Sequence, residues 1–273
     1  MLDKKDIYMK NIISQGITVI GSFFLLWLLL GEINWMDLFN VEKNTSRLEK
    51  ELGELIWKSI KDQNEEIKDS YVIKSIDSLT NILCNSNNID RNKIKVHVVR
   101  SGEVNAFALP DGHLVIMSQL ILNAEDHGEL AGVICHEIAH IEKNHVMKKL
   151  IKELGLTALI SMTSNSGGEV ISQAGKIVSS SAFDRTMERD ADIQAVKYLQ
   201  AAKINPESFA HFLYRLSDSE PEAMKYLTWL STHPDSKERA EYVIEESLEE
   251  QVEYTSVIAD ETWEKIKDIL RAN

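Results

Sequence analysis

The chain has 273 residues, of which 44% are hydrophobic and 27% charged, a composition typical of globular proteins. Its 43 acidic residues outnumber 30 Lys and Arg residues, so the formal net charge is −13. So acidic a chain has no cation surplus to hold the phosphates of nucleic acid, and we predict no nucleic-acid partner. Two cysteines, Cys84 and Cys135, exclude a disulfide-rich scaffold and a four-cysteine zinc module.

The first distinctive element is an uncharged apolar stretch at residues 12–31. As a helix it would be about 30 Å long, which matches the hydrocarbon core of a bilayer. Three lysines precede it, namely Lys4, Lys5 and Lys10, and the next basic residue is Lys43. Because basic residues near a span remain cytoplasmic, we predict cytoplasmic residues 1–11 and a non-cytoplasmic remainder after residue 31.

A cleaved signal peptide is the alternative interpretation of this stretch. Such a peptide usually has a shorter apolar region that ends in small residues such as Ala-x-Ala. Here the apolar stretch runs into Gly31, Glu32 and Ile33, which lack that pattern. A helix that is apolar on every side is also unsuited to the surface of a soluble domain. We therefore predict one uncleaved N-terminal transmembrane helix.

The part after the anchor is predicted to contain a helical N-terminal segment, residues 32–90, and a main domain, residues 91–273. In the first segment, apolar residues recur at helical spacing over residues 48–60 and again over residues 71–83. These two stretches predict amphipathic helices whose charged faces are solvated.

The main domain begins with three predicted strands. Residues 93–100 alternate with period two, residues 103–109 form a second extended run, and residues 113–117 form a third. Asp111 and Gly112 predict a hairpin turn between the last two. The rest of the domain shows helical periodicity, so the predicted class is α+β, mostly helical with one small sheet.

The chemistry is concentrated in His136-Glu137-Ile138-Ala139-His140. On a helix, residues four apart share a face, so His136 and His140 can offer two nitrogen ligands to Zn²⁺. Glu137 can reach water on the open side of the metal. Without a metal, the motif would be a surface helix that carries two histidines by chance. The apolar residues that flank and interrupt the motif disfavour that interpretation, because a buried imidazole pair needs a partner.

A third ligand is expected on a later helix. Glu188 and Asp192 are four apart and share a face. Glu188 would complete a site of two histidines and one glutamate, and Asp192 would accept the outer N–H of a ligating histidine. Arg189 and Asp190 are charged as well, so periodicity alone does not choose among the residues of this helix.

The segment HEIAHIEKNH, followed about fifty residues later by FDRTMERDAD, resembles the HtpX-type and CAAX-prenyl-protease-type zinc metallopeptidases, a gluzincin family. The resemblance implies a zincin-type fold with one zinc held by His136, His140 and Glu188. It also implies Glu137 as catalytic base and Asp192 as the acid that hydrogen-bonds to a ligating histidine. Arg185 matches a residue beside the ligand helix. HtpX itself has several transmembrane helices, whereas we predict one for this chain. The chain therefore resembles the single-anchor members of the family more.

Two further motifs extend the resemblance. Asn105, Ala106 and Phe107 match the family's edge strand, which implies that a polypeptide substrate binds there as an added extended strand. His233, followed by Pro234 and Arg239, matches a His-Pro element near the metal. His233 could then support the oxyanion or act as a latch on the zinc; a plain loop histidine is the remaining alternative.

Other histidines and the cysteines are interpreted as structural. On one continuous helix, His145 lies about 140° around from His140, so it cannot reach the same metal. Cys135 is expected to be a buried free thiol, and His211 has no partner that the sequence identifies.

These features predict a membrane-anchored zinc metalloendopeptidase that cleaves unfolded or damaged envelope or membrane proteins in quality control. The alternative is a catalytically silent, chaperone-like or metal-stabilised binding protein of the same fold.

Overall fold

The computed structural model of the protein describes residues 41–162, 168–218, 228–248 and 252–272. The predicted cytoplasmic segment, residues 1–11, and the predicted transmembrane helix, residues 12–31, lie outside this part of the chain. Among the described residues, no helix is both long enough and apolar enough to span a bilayer. Residues 48–273 form one compact unit, which contains the site considered below.

Helices dominate the described part of the chain, which confirms the predicted mostly helical α+β class. In chain order they are α1 (Val41–Lys61), α2 (Ser70–Ser86), α3 (Ser118–Asn123), α4 (His127–Glu142), α5 (His145–Leu154), α6 (Leu156–Met162), α7 (Gly168–Ser180), α8 (Arg185–Ala201), α9 (Glu207–Ser217), α10 (Thr228–Thr232), α11 (Ser236–Ser247) and α12 (Asp260–Ala272). The two amphipathic helices predicted after the anchor correspond to α1 and α2.

The three predicted strands are present, as β1 (Lys95–Val99), β2 (Ala106–Ala108) and β3 (His113–Met117). Their order is β1-β3-β2, with β1 parallel and β2 antiparallel to β3, so β2 lies at one edge of this sheet. The second predicted strand, residues 103–109, is shorter in the structure, where β2 covers Ala106–Ala108. The hydroxyl of Ser101 accepts the backbone N–H of Glu103, so the chain turns here instead of pairing.

The predicted Asp-Gly turn joins β2 to β3. Asp111 and Gly112 both have positive φ, at 59° and 71°. A Cβ atom at Gly112 would lie 1.7 Å from the carbonyl oxygen of Lys93, so only glycine fits there. The turn therefore depends on a close backbone approach as well as on conformation.

The sheet separates two apolar clusters. Leu114 and Ile116 belong to one cluster together with the apolar residues of α2 and α4, whereas Val115 and Met117 belong to the other. The second cluster includes Leu52 and Ile56 of α1 and residues of α5 and α7. This alternation is what period-two side-chain geometry requires of a strand that is covered on both faces. It sets α4 against one face of the sheet and α1 against the other.

Candidate metal centre

Helix α4 carries the His-Glu-x-x-His motif. Two features position it: a cap at its N-terminus and a close packing contact at Gly132. The carboxylate of Asp126 accepts the N–H of Glu129 at 2.8 Å, as expected of an N-cap. The Glu129 side chain accepts the N–H of Glu125, not that of Asp126, so the two residues do not form a reciprocal capping box. A Cβ at Gly132 would lie 2.4 Å from the Phe209 side chain, so glycine lets α9 pack closely here.

Four side chains converge beside α4. The Nε2 atoms of His136 and His140 lie 3.0 Å apart, and the Nδ1 atom of His233 lies 3.2 Å from His136 Nε2. A carboxylate oxygen of Glu188, from the first turn of α8, lies 2.9 Å from the same His233 nitrogen. The ligand atoms of all four residues are within 4.8 Å of one another, and all four side chains are buried.

The chemistry of these donor atoms fits a cation. Nδ1 of His136 lies 2.7 Å from Oδ1 of Asp192, and a carboxylate can only accept, so Nδ1 carries the proton. In a neutral imidazole this leaves a lone pair on Nε2, which faces the cluster. Burial lowers the pKa of His140 to about 4, so this ring is neutral at physiological pH. Several lone pairs therefore face one buried point, which is the arrangement a bound metal requires.

A layer of polar groups surrounds the two acidic residues of α8. The guanidinium of Arg239 donates two hydrogen bonds to Asp192, at 2.7 and 2.8 Å, and lies 3.0 Å from a carboxylate oxygen of Glu188. It also donates to the backbone carbonyl of His233 at 3.1 Å. The hydroxyl of Tyr242 donates to Asp192 as well. Burial favours a higher pKa for Asp192, but Arg239 and His136 outweigh it and keep the carboxyl ionised.

Tyr242 was not identified from the sequence. Arg239 stands in a motif, but Tyr242 is one aromatic residue on a charged helix, and no local signal distinguishes it. Arg185, which the resemblance indicated beside the ligand helix, is the first residue of α8. Its guanidinium pairs with Asp235 at 2.9 Å and is mostly exposed.

Glu137 lies beside the cluster but is not one of its four members. Its Oε2 accepts the backbone N–H of Ala108 at 2.8 Å, and its Oε1 lies 3.3 Å from Nε2 of His233. Burial alone would raise the pKa of Glu137, but the contact with His233 and the neighbouring imidazoles lower it overall. The side chain is therefore an ionised carboxylate within reach of the cluster.

Strand β2 passes next to Glu137. The carbonyl of Asn105 accepts the N–H of Met117, so Asn105 faces β3, and alternation turns Phe107 towards β3 as well. Ala106 and Ala108 consequently direct their backbone groups away from β3, and both residues are buried. Of the three residues predicted for the edge strand, only Ala106 has its backbone directed outwards.

The prediction that His145 is not a metal ligand agrees with the cluster, which does not include it, but the geometric argument behind it is wrong. It assumed one continuous helix, but α4 ends at Glu142 and Asn144 adopts a left-handed conformation with φ 54°. The chain turns there and α5 begins at His145, whose ring is buried with Nδ1 3.1 Å from Nδ1 of His140. Cys135 is a buried free thiol, as predicted.

Two further groups of acidic and histidine side chains occur in the described part of the chain. In the first, the ammonium of Lys95 lies 2.5 Å from Asp111 and 3.1 Å from His113. In the second, His211 lies 3.0 Å from Glu129, a partner that the sequence did not identify. The guanidinium of Arg215 lies 2.5 Å from the same Glu129. Each group thus has a cationic side chain beside its carboxylates and, unlike the cluster at α4, is only partly buried.

Comparison with known proteins agrees with this geometry. The model of Peptidase family M48 matches residues 70–247. A putative beta-barrel assembly-enhancing protease of Vibrio cholerae is 27% identical over 67% of this chain and 41% of its own length. The metalloprotease LoiP of Escherichia coli is 29% identical over 55% of this chain and 62% of its own length. A mitochondrial metalloendopeptidase of Bos taurus is 28% identical over 46% of this chain and 26% of its own length.

The matched region covers about two fifths of the length of the Vibrio cholerae relative. The family match includes the described cluster, since His136, His140, Glu188 and His233 all lie between residues 70 and 247.

Proposed function

The chain belongs to peptidase family M48, a family of zinc-dependent metallopeptidases, and from this we propose a membrane-anchored zinc metalloendopeptidase that acts in protein quality control. The observation that carries the proposal is the convergence of His136, His140 and Glu188 with the carboxylate of Glu137 beside them. In the proposed organisation, residues 12–31 are the anchor, residues 32–90 a helical segment and residues 91–273 the peptidase domain.

We assign the metal to His136, His140 and Glu188. Two imidazole nitrogens and one carboxylate oxygen are the protein ligands of many catalytic zinc sites, which keep a fourth position open. A zinc ion held by these three residues would polarise the scissile carbonyl and make water a stronger nucleophile at neutral pH. Asp192, 2.7 Å from Nδ1 of His136, would hold that ring in the correct tautomer.

Glu137 is assigned as the general base. It is ionised, lies next to the ligand atoms, and has one oxygen occupied by the N–H of Ala108. Its other oxygen is directed at His233 and is available to take a proton from the attacking water. The same carboxyl group then passes that proton to the leaving amine.

Polypeptide substrates are proposed to bind along β2. The backbone groups of Ala106 that point away from β3 are the ones an extended chain would pair with, which would bring a peptide bond next to Glu137. Ala106 is buried, so the segments that cover β2 would have to move before a substrate binds. Binding through backbone groups depends little on the side chains of the substrate. That mode suits a protease that acts on unfolded or damaged chains.

Residues 12–31 are the proposed membrane anchor, and the lysines before them indicate its orientation. The names of two relatives refer to β-barrel assembly and to the mitochondrion, which supports substrates of a membrane or envelope. We propose a single-pass protein with a cytoplasmic N-terminus and its peptidase domain on the other side.

One observation favours the alternative of a metal-stabilised or chaperone-like binding protein. His233 contributes a fourth potential ligand atom, and structural zinc sites are usually closed by four protein ligands. In such a protein Glu137 would have no catalytic task.

The deciding experiment compares cells that contain the parent protein with cells that contain Glu137→Gln. Membrane or envelope proteins should accumulate uncleaved only in the second, because the amide cannot accept a proton. The purified parent, but not the variant, should cleave an unfolded test protein such as casein. Equal cleavage by both, or by neither, would contradict the proposed function.

A further inference from the structure

The two histidines of the motif have different partners on their outer nitrogens. His136 Nδ1 faces the carboxylate of Asp192 at 2.7 Å. His140 Nδ1 faces another imidazole, Nδ1 of His145, at 3.1 Å. His145 is 3% exposed, and its Nε2 lies 3.5 Å from a carboxylate oxygen of Asp190. The ammonium of Lys143 lies 3.0 Å from the other oxygen of Asp190.

The positions of the ring protons determine which of the two histidines donates the hydrogen bond between His140 Nδ1 and His145 Nδ1. The Nε2 atom of His140 faces the cluster, 3.0 Å from His136 Nε2, so as a metal ligand it must offer a lone pair. The proton of the neutral His140 ring is then on Nδ1 and needs an acceptor, because a buried N–H without one is costly. His145 can accept on Nδ1 only if its own proton is on Nε2, which is the nitrogen that faces Asp190.

We propose that His145 is a positioning residue of the metal centre, which accepts the Nδ1–H of His140 and keeps its Nε2 lone pair directed at the metal. His145 does for His140 what Asp192 does for His136. The inference rests on the proposed zinc site, and it adds a residue for which the sequence analysis predicted no part in that site.

The left-handed residue Asn144 is what makes this contact possible. On a continuous helix His145 would be about 140° away from His140. The break between α4 and α5 instead returns the chain, so that the first residue of α5 meets the last motif residue of α4. Asparagine is one of the few non-glycine residues that adopt this conformation at low cost.

A matched pair of substitutions tests the hydrogen bond separately from the packing. Asn and Leu have nearly the same shape, but only Asn has an oxygen near the position of His Nδ1. His145→Leu should raise the zinc dissociation constant about 10–100-fold, the effect typical of losing such an outer partner. His145→Asn should keep the constant within about threefold of the parent.

The measurement uses the full chain in detergent micelles, stripped of metal and titrated with zinc against a chromophoric chelator. The thermal midpoint of the metal-free protein monitors folding and should be similar in both variants. Two results would overturn the proposal: parent-like zinc binding in His145→Leu, or equal weakening in both variants, which would indicate loss of ring packing only.

Asp190→Ala provides a second measurement should His145→Leu fail to fold, because Asp190 is half exposed. It removes the acceptor for His145 Nε2 and should weaken zinc binding by up to about tenfold. An unchanged constant would contradict the proposed chain of hydrogen bonds. The proposed function fails separately: in that case the parent itself binds no zinc, whichever variants are compared.

Discussion

The backbone N–H of Ala108 donates to the carboxylate of Glu137 at 2.8 Å, and this bond connects the edge strand of the sheet to the motif helix. The two residues are far apart in the sequence, and each belongs to a different predicted motif. The bond fixes one oxygen of Glu137 and leaves the other directed at His233. The proposed base is therefore held against the proposed substrate strand.

The metal content of purified variants tests the assigned ligands. The parent should bind about one zinc per chain, as a single site requires. Glu137→Gln should bind the same amount, because Glu137 is not a ligand. His136→Ala, His140→Ala and Glu188→Ala should each lose most of the metal, which elemental analysis after dialysis will show. Loss of zinc from Glu137→Gln would mean that Glu137 has been given the wrong role.

His233→Ala distinguishes two roles for this residue. His233 has Nδ1 2.9 Å from Glu188 and Nε2 3.3 Å from Glu137. If its imidazole supports the oxyanion, kcat should fall by about 10²–10³ with zinc retained. If it is a latch on the metal, activity should be unchanged or higher, with self-cleavage. Parent-like activity, zinc content and self-cleavage together would leave His233 without a functional role.

The topology prediction can be tested with reporters fused after residue 273. Three lysines precede the apolar stretch, Lys4, Lys5 and Lys10, so the C-terminus should be non-cytoplasmic. Alkaline phosphatase fused there should be active, and a reporter that requires the cytoplasm should be silent. Reversed activities of the two fusions would overturn the proposed orientation.

Acid should destabilise the protein partly through His113. Burial, together with Lys95 and His97, lowers the pKa of His113 to about 4, whereas the unfolded value is about 6.5. Glu54 and Asp111 also face this ring but do not outweigh the burial. Between these two pH values the unfolded chain binds more protons, so the free energy of unfolding should decrease as the pH falls from 6.5 to 4.

His113→Gln removes this titration. Urea unfolding as a function of pH should therefore give a shallower slope for the variant between pH 4 and 6.5. Between pH 7 and 8, where His113 is neutral in both states, the two proteins should have the same slope. A variant whose slope matches the parent over the acid range would show that His113 does not contribute.

The sequence identified those parts of the site that depend on local spacing. His136 and His140 converge because they are four residues apart on one helix, and the Asp111-Gly112 turn was predicted from two adjacent residues. Glu188 was harder to identify as a metal ligand, because several of its neighbours on α8 are also charged. Its selection depended on the family resemblance. Geometry then supported it, with its carboxylate 2.9 Å from His233.

Tertiary structure decided the contacts that join distant segments or follow a break in a helix. The contact of His145 with His140 was not predicted because one left-handed residue, Asn144, redirects the chain, and periodicity assumes that the helix continues. Tyr242 was missed because its hydroxyl meets Asp192 only after α8 and α11 pack together. By itself the sequence determined the motif helix, the helical class of the chain and the kinds of donor atom available, because these depend on neighbours within a few residues. Which nitrogen faces which partner depends on long-range packing, and only the folded chain settles it.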